Sequence, residues 1–178
     1  MIGLRMTDSS AVLSVTGQEA IVDWVFIEIR DKDNPDSIVT TRPALLNRHG
    51  GIVELDGVSP PRLWNIPYGE YNVVIRHRNH LGVRTSQPIL LEENSPSINF
   101  AQTPAYGNGT KQLANGSHVL HGGDANGDGA INAGDGSATW NGRNQTGYLL
   151  EDVDLNGSVT AADRSVTWNN RNRSSQIP

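Results

Sequence analysis

The chain contains no cysteine. Disulfides, thiolate metal sites and cysteine nucleophiles are therefore excluded. No apolar run approaches the roughly 20 residues that a membrane-spanning helix needs. Two methionines and two phenylalanines are too few for a Met-rich groove that captures a target helix. A basic excess is missing as well. The formal net charge is −5, which argues against nucleic acid as a partner. No G-x-S-x-G element or phosphate-binding loop occurs, and the carboxylates of the first half lie in turns or on strand faces. An enzyme is not expected. The first residues, MIGLRMTDSS, show no charged segment leading into an apolar one, so no signal peptide is expected there. If the protein is exported, this chain is expected to be a piece of a longer one.

What is present is a concentration of acid. Of the seven acidic residues after Leu120, six fall in two windows of twelve. The first, DANGDGAINAGD, places Asp124, Asn126, Asp128, Asn132 and Asp135 at positions 1, 3, 5, 9 and 12, with Gly129 at position 6. The second, DVDLNGSVTAAD, begins 28 residues later and places Asp152, Asp154, Asn156, Thr160 and Asp163 at the same offsets, with Gly157 at position 6. This is the spacing of an EF-hand-type calcium loop. Ca²⁺ takes six to eight oxygen ligands, and position 7 supplies a backbone carbonyl, here from Ala130 and Ser158. Position 9, Asn132 or Thr160, acts through water and also caps the helix that follows. Two calcium ions are therefore expected. Three carboxylates per loop repel one another without metal, so the metal-free segment is expected to be loosely folded.

The windows belong to a longer tandem repeat. SATWNGRN and SVTWNNRN are near copies, pairing Trp140 with Trp168, Arg143 with Arg171 and Asn144 with Asn172. Each loop is expected to run into a helix of about ten residues, too short to hold without packing or metal. Ile131 and Val159, at position 8, are expected to pair back to back. Trp140 and Trp168 are expected to fill a small core with Leu149, Leu150, Val153 and Val166.

The first half reads as strands. AIVDWVFIEIR alternates, with Val25, Ile27 and Ile29 on one face and Trp24, Phe26 and Glu28 on the other. SIVTTRPALL, GIVEL, YNVVIRHR, LGVRTS, QPILLEE and SINF follow, and Pro43 suggests an edge strand or a bulge. Such spacing predicts a mainly β fold, an antiparallel β-sandwich in immunoglobulin-like or transthyretin-like style. Residues 1–18 form a lead-in, 19–101 the sandwich, 102–121 a glycine-rich junction and 122–178 the calcium-binding part. His77 and His80 are expected to be solvated or held in a turn, with their rings on different faces. Trp24, Trp64 and Tyr71 are candidates for a sugar platform, against the plainer reading that they pack in the core.

The loop–helix repeat resembles a dockerin repeat, the paired F-hand module, over residues 122–173. The ligand pattern matches throughout, with Asp at position 12. DWVFIEIRDKD, ELDGVSP, YNVVIRHRNHLGV and the TWNNRN-ending pair resemble the C-terminal region of large exported proteins of Bacteroidota. These resemblances imply a secreted or cell-surface setting and a small α module behind the sandwich. Positions 10 and 11, which carry much of the cohesin recognition in dockerins, are Ala133-Gly134 and Ala161-Ala162 here. Recognition, if any, is thus displaced to the segments around Arg143 and Arg171. The expected function is a non-catalytic calcium-binding module acting as a structural, adhesive or anchoring end piece. The alternatives are docking of a cohesin-like protein partner and carbohydrate binding. Self-association is a further expectation.

Overall fold

The alternation of AIVDWVFIEIR is realised in the longest strand of the chain. The computed structural model describes residues 9–63, 65–93, 95 and 97–177. Within them β1 spans Ile21–Asp31, with Val25, Ile27 and Ile29 buried on one face and Trp24 and Phe26 half-exposed on the other. β2 (Ile38–Asn47) pairs antiparallel with β1, and β3 (Ile52–Val53) adds to β2. β4 (Gly69–His77) takes the other side of β1, and β5 (Val83–Arg84) and β6 (Ile89–Leu91) share the free edge of β4. In the β1–β4 register Ile27 faces Ile75 and Ile29 faces Val73, so the two apolar sets share one side. Pro43 lies in β2 where β3 does not reach, since β3 pairs only Leu45 and Leu46. No outer strand asks that residue for an N–H.

The chain is thus mainly β and antiparallel. Among the described residues only one layer is a broad ladder of strands, however. The layer opposite consists of Leu63, Ile66, Ile98 and Phe100 from irregular segments, with Leu120 from a hairpin of β7 (Thr110–Gln112) and β8 (His118–Leu120). Residues 59–63 and 65–67 join no ladder, and the prolines among them lack the donor that a ladder needs. SINF, read as a strand, also lies outside the ladders. Burying Val25, Ile27, Ile29, Val73 and Ile75 contributes roughly 1.5–3 kcal/mol each.

Glu28 lies on the face of β1 opposite Val25, Ile27 and Ile29, as the alternation places it. It is buried, with its carboxylate 2.7 Å from both Arg30 and Arg76, and Arg30 also donates to the Pro35 carbonyl. A buried ion is tolerable only when so completely partnered. A five-residue helix, α1 (Ser9–Leu13), precedes the sheet although no helical period is visible there.

After the hairpin come β9 (Ala130–Ile131), α2 (Ala133–Asn141), α3 (Ala161–Asn170) and β10 (Arg173–Ser174). The tail is an ordered strap. The Ser175 amide donates to the Gly129 carbonyl at 2.8 Å, the Ser175 hydroxyl reaches the Gly82 carbonyl, and Ile177 packs on Gly82. Residues 173–177 therefore fasten the first acidic window to the sheet.

Candidate functional site

Each acidic window folds around its own first aspartate. Asp124 accepts the Asp128 and Gly129 amides, both at 3.0 Å, through its two carboxylate oxygens. Asp152 does the same for Asn156 at 3.0 Å and Gly157 at 2.8 Å. The glycines at position 6 have φ of +83° and +86°, which is why that position is glycine. Asn126 and Asp154, at position 3, accept the amide two residues on, as do Asp128 and Asn156 at position 5. Asn132 and Thr160 cap α2 and α3 through the Gly134 and Ala162 amides, and both helices carry full capping boxes. Asp135 and Asp163, each completely buried, close the windows. Asp135 accepts Asn126 N and Asn132 N. Asp163 accepts Val153 N, Asp154 N, Thr160 N and the Thr160 hydroxyl. Ala130 enters β9, and Ser158 forms a bridge with Thr146. Every expected ligand position is thus ordered, in two windows of matching form.

The carboxylates are distributed differently. Those of Asp152, Asp154 and Asp163 come within 4.8 Å of one another. Among the described residues the first window forms no such cluster. There Asn126 stands at position 3, and its amide donates to Asp128 at 2.9 Å. Burial raises the Asp154 carboxyl above the usual range, and the neighbouring charge of Asp163 adds to the shift. Burial likewise raises Asp124, with Asp135 and Asp128 contributing against the Gly129 amide. An all-oxygen set with two buried carboxylates and one more at hand fits a hard cation such as Ca²⁺.

The repeats are tied crosswise. The Asn172 amide donates to the Ile131 carbonyl at 2.8 Å, and Asn144 to Val159 at 2.9 Å. Each position-8 residue is therefore paired through its backbone with the exit of the other repeat's helix, and both side chains are buried. Asn144 and Asn172 have φ of 67° and 65°, a left-handed turn that asparagine accepts more readily than most residues.

The tryptophans overturn the expected small core. Trp140 is 50% exposed and Trp168 is 64% exposed. Thr139 and Thr167 are the buried residues instead, four positions after Asp135 and Asp163. Position 12 must face its loop, so the residue one turn on also faces inward, and the next is carried about 100° around the helix. That spacing is the signal by which the sequence could have placed both indoles outside. Of the other proposed core residues, Val153 is buried and Leu150 is exposed.

The windows are joined to the sheet by a residue that the sequence reading passed over. Asn79, fully buried just after β4, donates its side-chain amide to the carbonyls of Leu150 at 3.0 Å and Asp152 at 2.7 Å. Its own carbonyl accepts the Gly123 and Asp124 amides. One residue thus holds position 1 of both windows. Around it, Asp23 receives Arg78 at 2.8 Å and the Tyr148 hydroxyl at 2.6 Å, with His77 Nε2 3.2 Å away. Arg78 also donates to the Leu149 carbonyl. Burial alone would raise Asp23, but these contacts and the Trp24 amide together hold it well below the usual carboxylate range. Contrary to expectation, the His77 and His80 rings meet edge to face at 4.7 Å. Burial and the charge of His77 lower His80 to about 3. Burial also pushes Tyr148 up to about 12.

The sugar platform does not assemble. Trp24 lies on the outer face of the sheet and Tyr71 on the core face, its hydroxyl donating to Pro67, while Trp64 lies outside the described residues. No helix among the described residues is long and apolar enough to cross a membrane.

No protein-family model matches the chain, and no curated protein matches it. Among solved structures it overlays, at TM-score 0.49 and 17% identity, on a chain of a C-terminal interface mutant of a type II cohesin–X-dockerin complex from Acetivibrio cellulolyticus. The overlay covers 97% of this chain and 91% of that one. The N-terminal interface mutant of that complex gives TM-score 0.46 and 16% identity with the same coverage.

Proposed function

We propose that the chain is a non-catalytic calcium-binding module, a structural or adhesive end piece of a larger surface or secreted protein. The observation behind this reading is the gathering of the Asp152, Asp154 and Asp163 carboxylates within 4.8 Å. Like charges held so close raise the energy of the metal-free loop, and a divalent cation turns that cost into attraction. In the second window Asp152, Asp154, Asn156, Ser158, Thr160 and Asp163 would hold the ion. In the first, Asp124, Asn126, Asp128, Ala130, Asn132 and Asp135 would do so. The chemistry is charge neutralisation and cross-linking of chain segments already ordered by backbone amides. Through Asn79 and the strap at residues 173–177, that stiffening would pass to the sheet. Extracellular modules of this kind bind calcium at about 10⁻⁴–10⁻³ M, which suits an exported setting. Calorimetric titration of EDTA-treated protein should show two ions bound per chain, and differential scanning calorimetry a higher unfolding temperature with calcium than without. No heat of binding together with an unchanged unfolding temperature would sink the reading.

A second reading is a docking module of dockerin type with a cohesin-like protein partner. It is favoured by the exposure of Trp140 and Trp168, where a structural core would have buried them.

A further inference from the structure

Three arginines converge on the two exposed tryptophans. Arg143 lies 4.2 Å from the centre of the Trp140 ring and Arg171 lies 4.0 Å from that of Trp168. Arg164 of α3 approaches the Trp140 ring at 5.0 Å, bridging the two helices. Arg143 and Arg171 each donate one N–H to the carbonyl of the tryptophan they stack on, at 2.7 Å, which fixes the guanidinium without exhausting its five donors. The indoles flank an open groove of about 600 Å³ between α2 and α3. The charged residues that line it, Arg164 and Arg171, are both cationic. In a chain of net charge −5 this is a local reversal of sign.

We infer that this groove docks an acidic segment of a partner protein, its carboxylates held by Arg164 and Arg171 in the groove and by Arg143 beside it on Trp140, and its apolar side chains laid against Trp140 and Trp168. The inference rests on the docking reading above and adds the chemistry of the occupant. Guanidinium forks favour carboxylates, and fixing the arginines on the indoles lowers the entropy lost on binding. Trp and Arg are also the side chains that most often dominate interfaces.

The test uses the full chain in calcium and a short fluorescein-labelled peptide alternating Glu with Leu, followed by fluorescence anisotropy. Otherwise matched Lys–Leu and Gln–Leu peptides serve as controls. The Glu peptide should bind, weaken as salt is raised, and bind better than either control. Both indoles are exposed, so Trp140→Ala with Trp168→Ala should leave the fold intact by circular dichroism and lower affinity about tenfold or more. Arg143→Glu with Arg171→Glu should abolish binding of the Glu peptide. If the Gln or Lys peptide binds as well as the Glu peptide and loses affinity in the tryptophan variant, docking stands and the acidic partner falls. If none of the peptides responds to either variant, both fall. Dimerisation of the chain that the tryptophan substitutions abolish would make a second copy the occupant and overturn the proposal.

Discussion

The two acidic windows share a fold and differ in where the third carboxylate stands. Both start with a buried aspartate that accepts two amides, and both end with one that closes a capping box. The first window puts its remaining carboxylate at position 5, beside an asparagine that donates to it at 2.9 Å. The second puts it at position 3, against Asp163 and Asp152. The second window also runs Leu155 through a φ of 60°, where the first has Gly127 at 72°. One backbone path is thus made once with little strain and dispersed charge, and once with a strained leucine and concentrated charge. The difference teaches that the motif's spacing sets the path, whereas the choice of Asp or Asn at positions 3 and 5 sets the electrostatic load.

The sharpest break in the comparison is at position 12. Asp163 accepts three backbone amides and a hydroxyl, Asp135 two amides, and both are fully buried. Stranding a buried donor costs about 1–3 kcal/mol. Asp163→Ala should therefore destabilise the chain in EDTA by about 3 kcal/mol and Asp135→Ala by about 2 kcal/mol, measured by urea denaturation. Equal losses would show that the two windows carry the same load.

A smaller effect separates the windows through the sheet. Asn79→Ala removes the side-chain donor to Leu150 and Asp152 but keeps the backbone carbonyl that holds Gly123 and Asp124. The loss should be about 2 kcal/mol in stability. Under the calcium reading, affinity at the second window should fall while the first is spared, which NMR titration of the Gly129 and Gly157 amides would resolve. Equal weakening of both would mean that Asn79 acts on the module as a whole.

The windows were legible because their information is local. Oxygen-bearing side chains at fixed offsets, a glycine at a positive φ and a capping aspartate all lie within twelve residues. The core alternation of Val25, Ile27 and Ile29 was legible for the same reason. Asn79 was not, since its partners are 71 and 73 positions away and nothing in RHRNHL marks one polar residue as the buried one. The opposite layer was misread because runs such as SINF have strand composition yet join no ladder, and composition alone does not say which runs will pair. The indoles were misplaced because composition was given more weight than phase. Large aromatics usually fill small cores, yet the helix geometry fixed by position 12 already turned them outward.

The smallest effect tests the charge load itself. Asp154 has its carboxyl raised by burial and by Asp163. A raised folded value means that this group's stabilising contribution is complete below its ordinary value of 3.8 and is lost as pH rises through the folded value. At neutral pH, without metal, the charged Asp154 therefore opposes folding, and Asp154→Asn should stabilise the chain. Asp154 is largely exposed, so solvent screening holds the gain to about a few tenths of a kcal/mol. The gain should vanish near pH 3, where wild type and variant are both neutral at this site. In calcium the sign should invert, because the variant gives up a carboxylate that the ion would use. Urea denaturation in EDTA at the two pH values, repeated in calcium at neutral pH, reads all three arms. A variant less stable than wild type in EDTA at neutral pH would mean that Asp154's acceptance of the Asn156 amide outweighs its repulsion from Asp163, and the second window would then need no ion to be content.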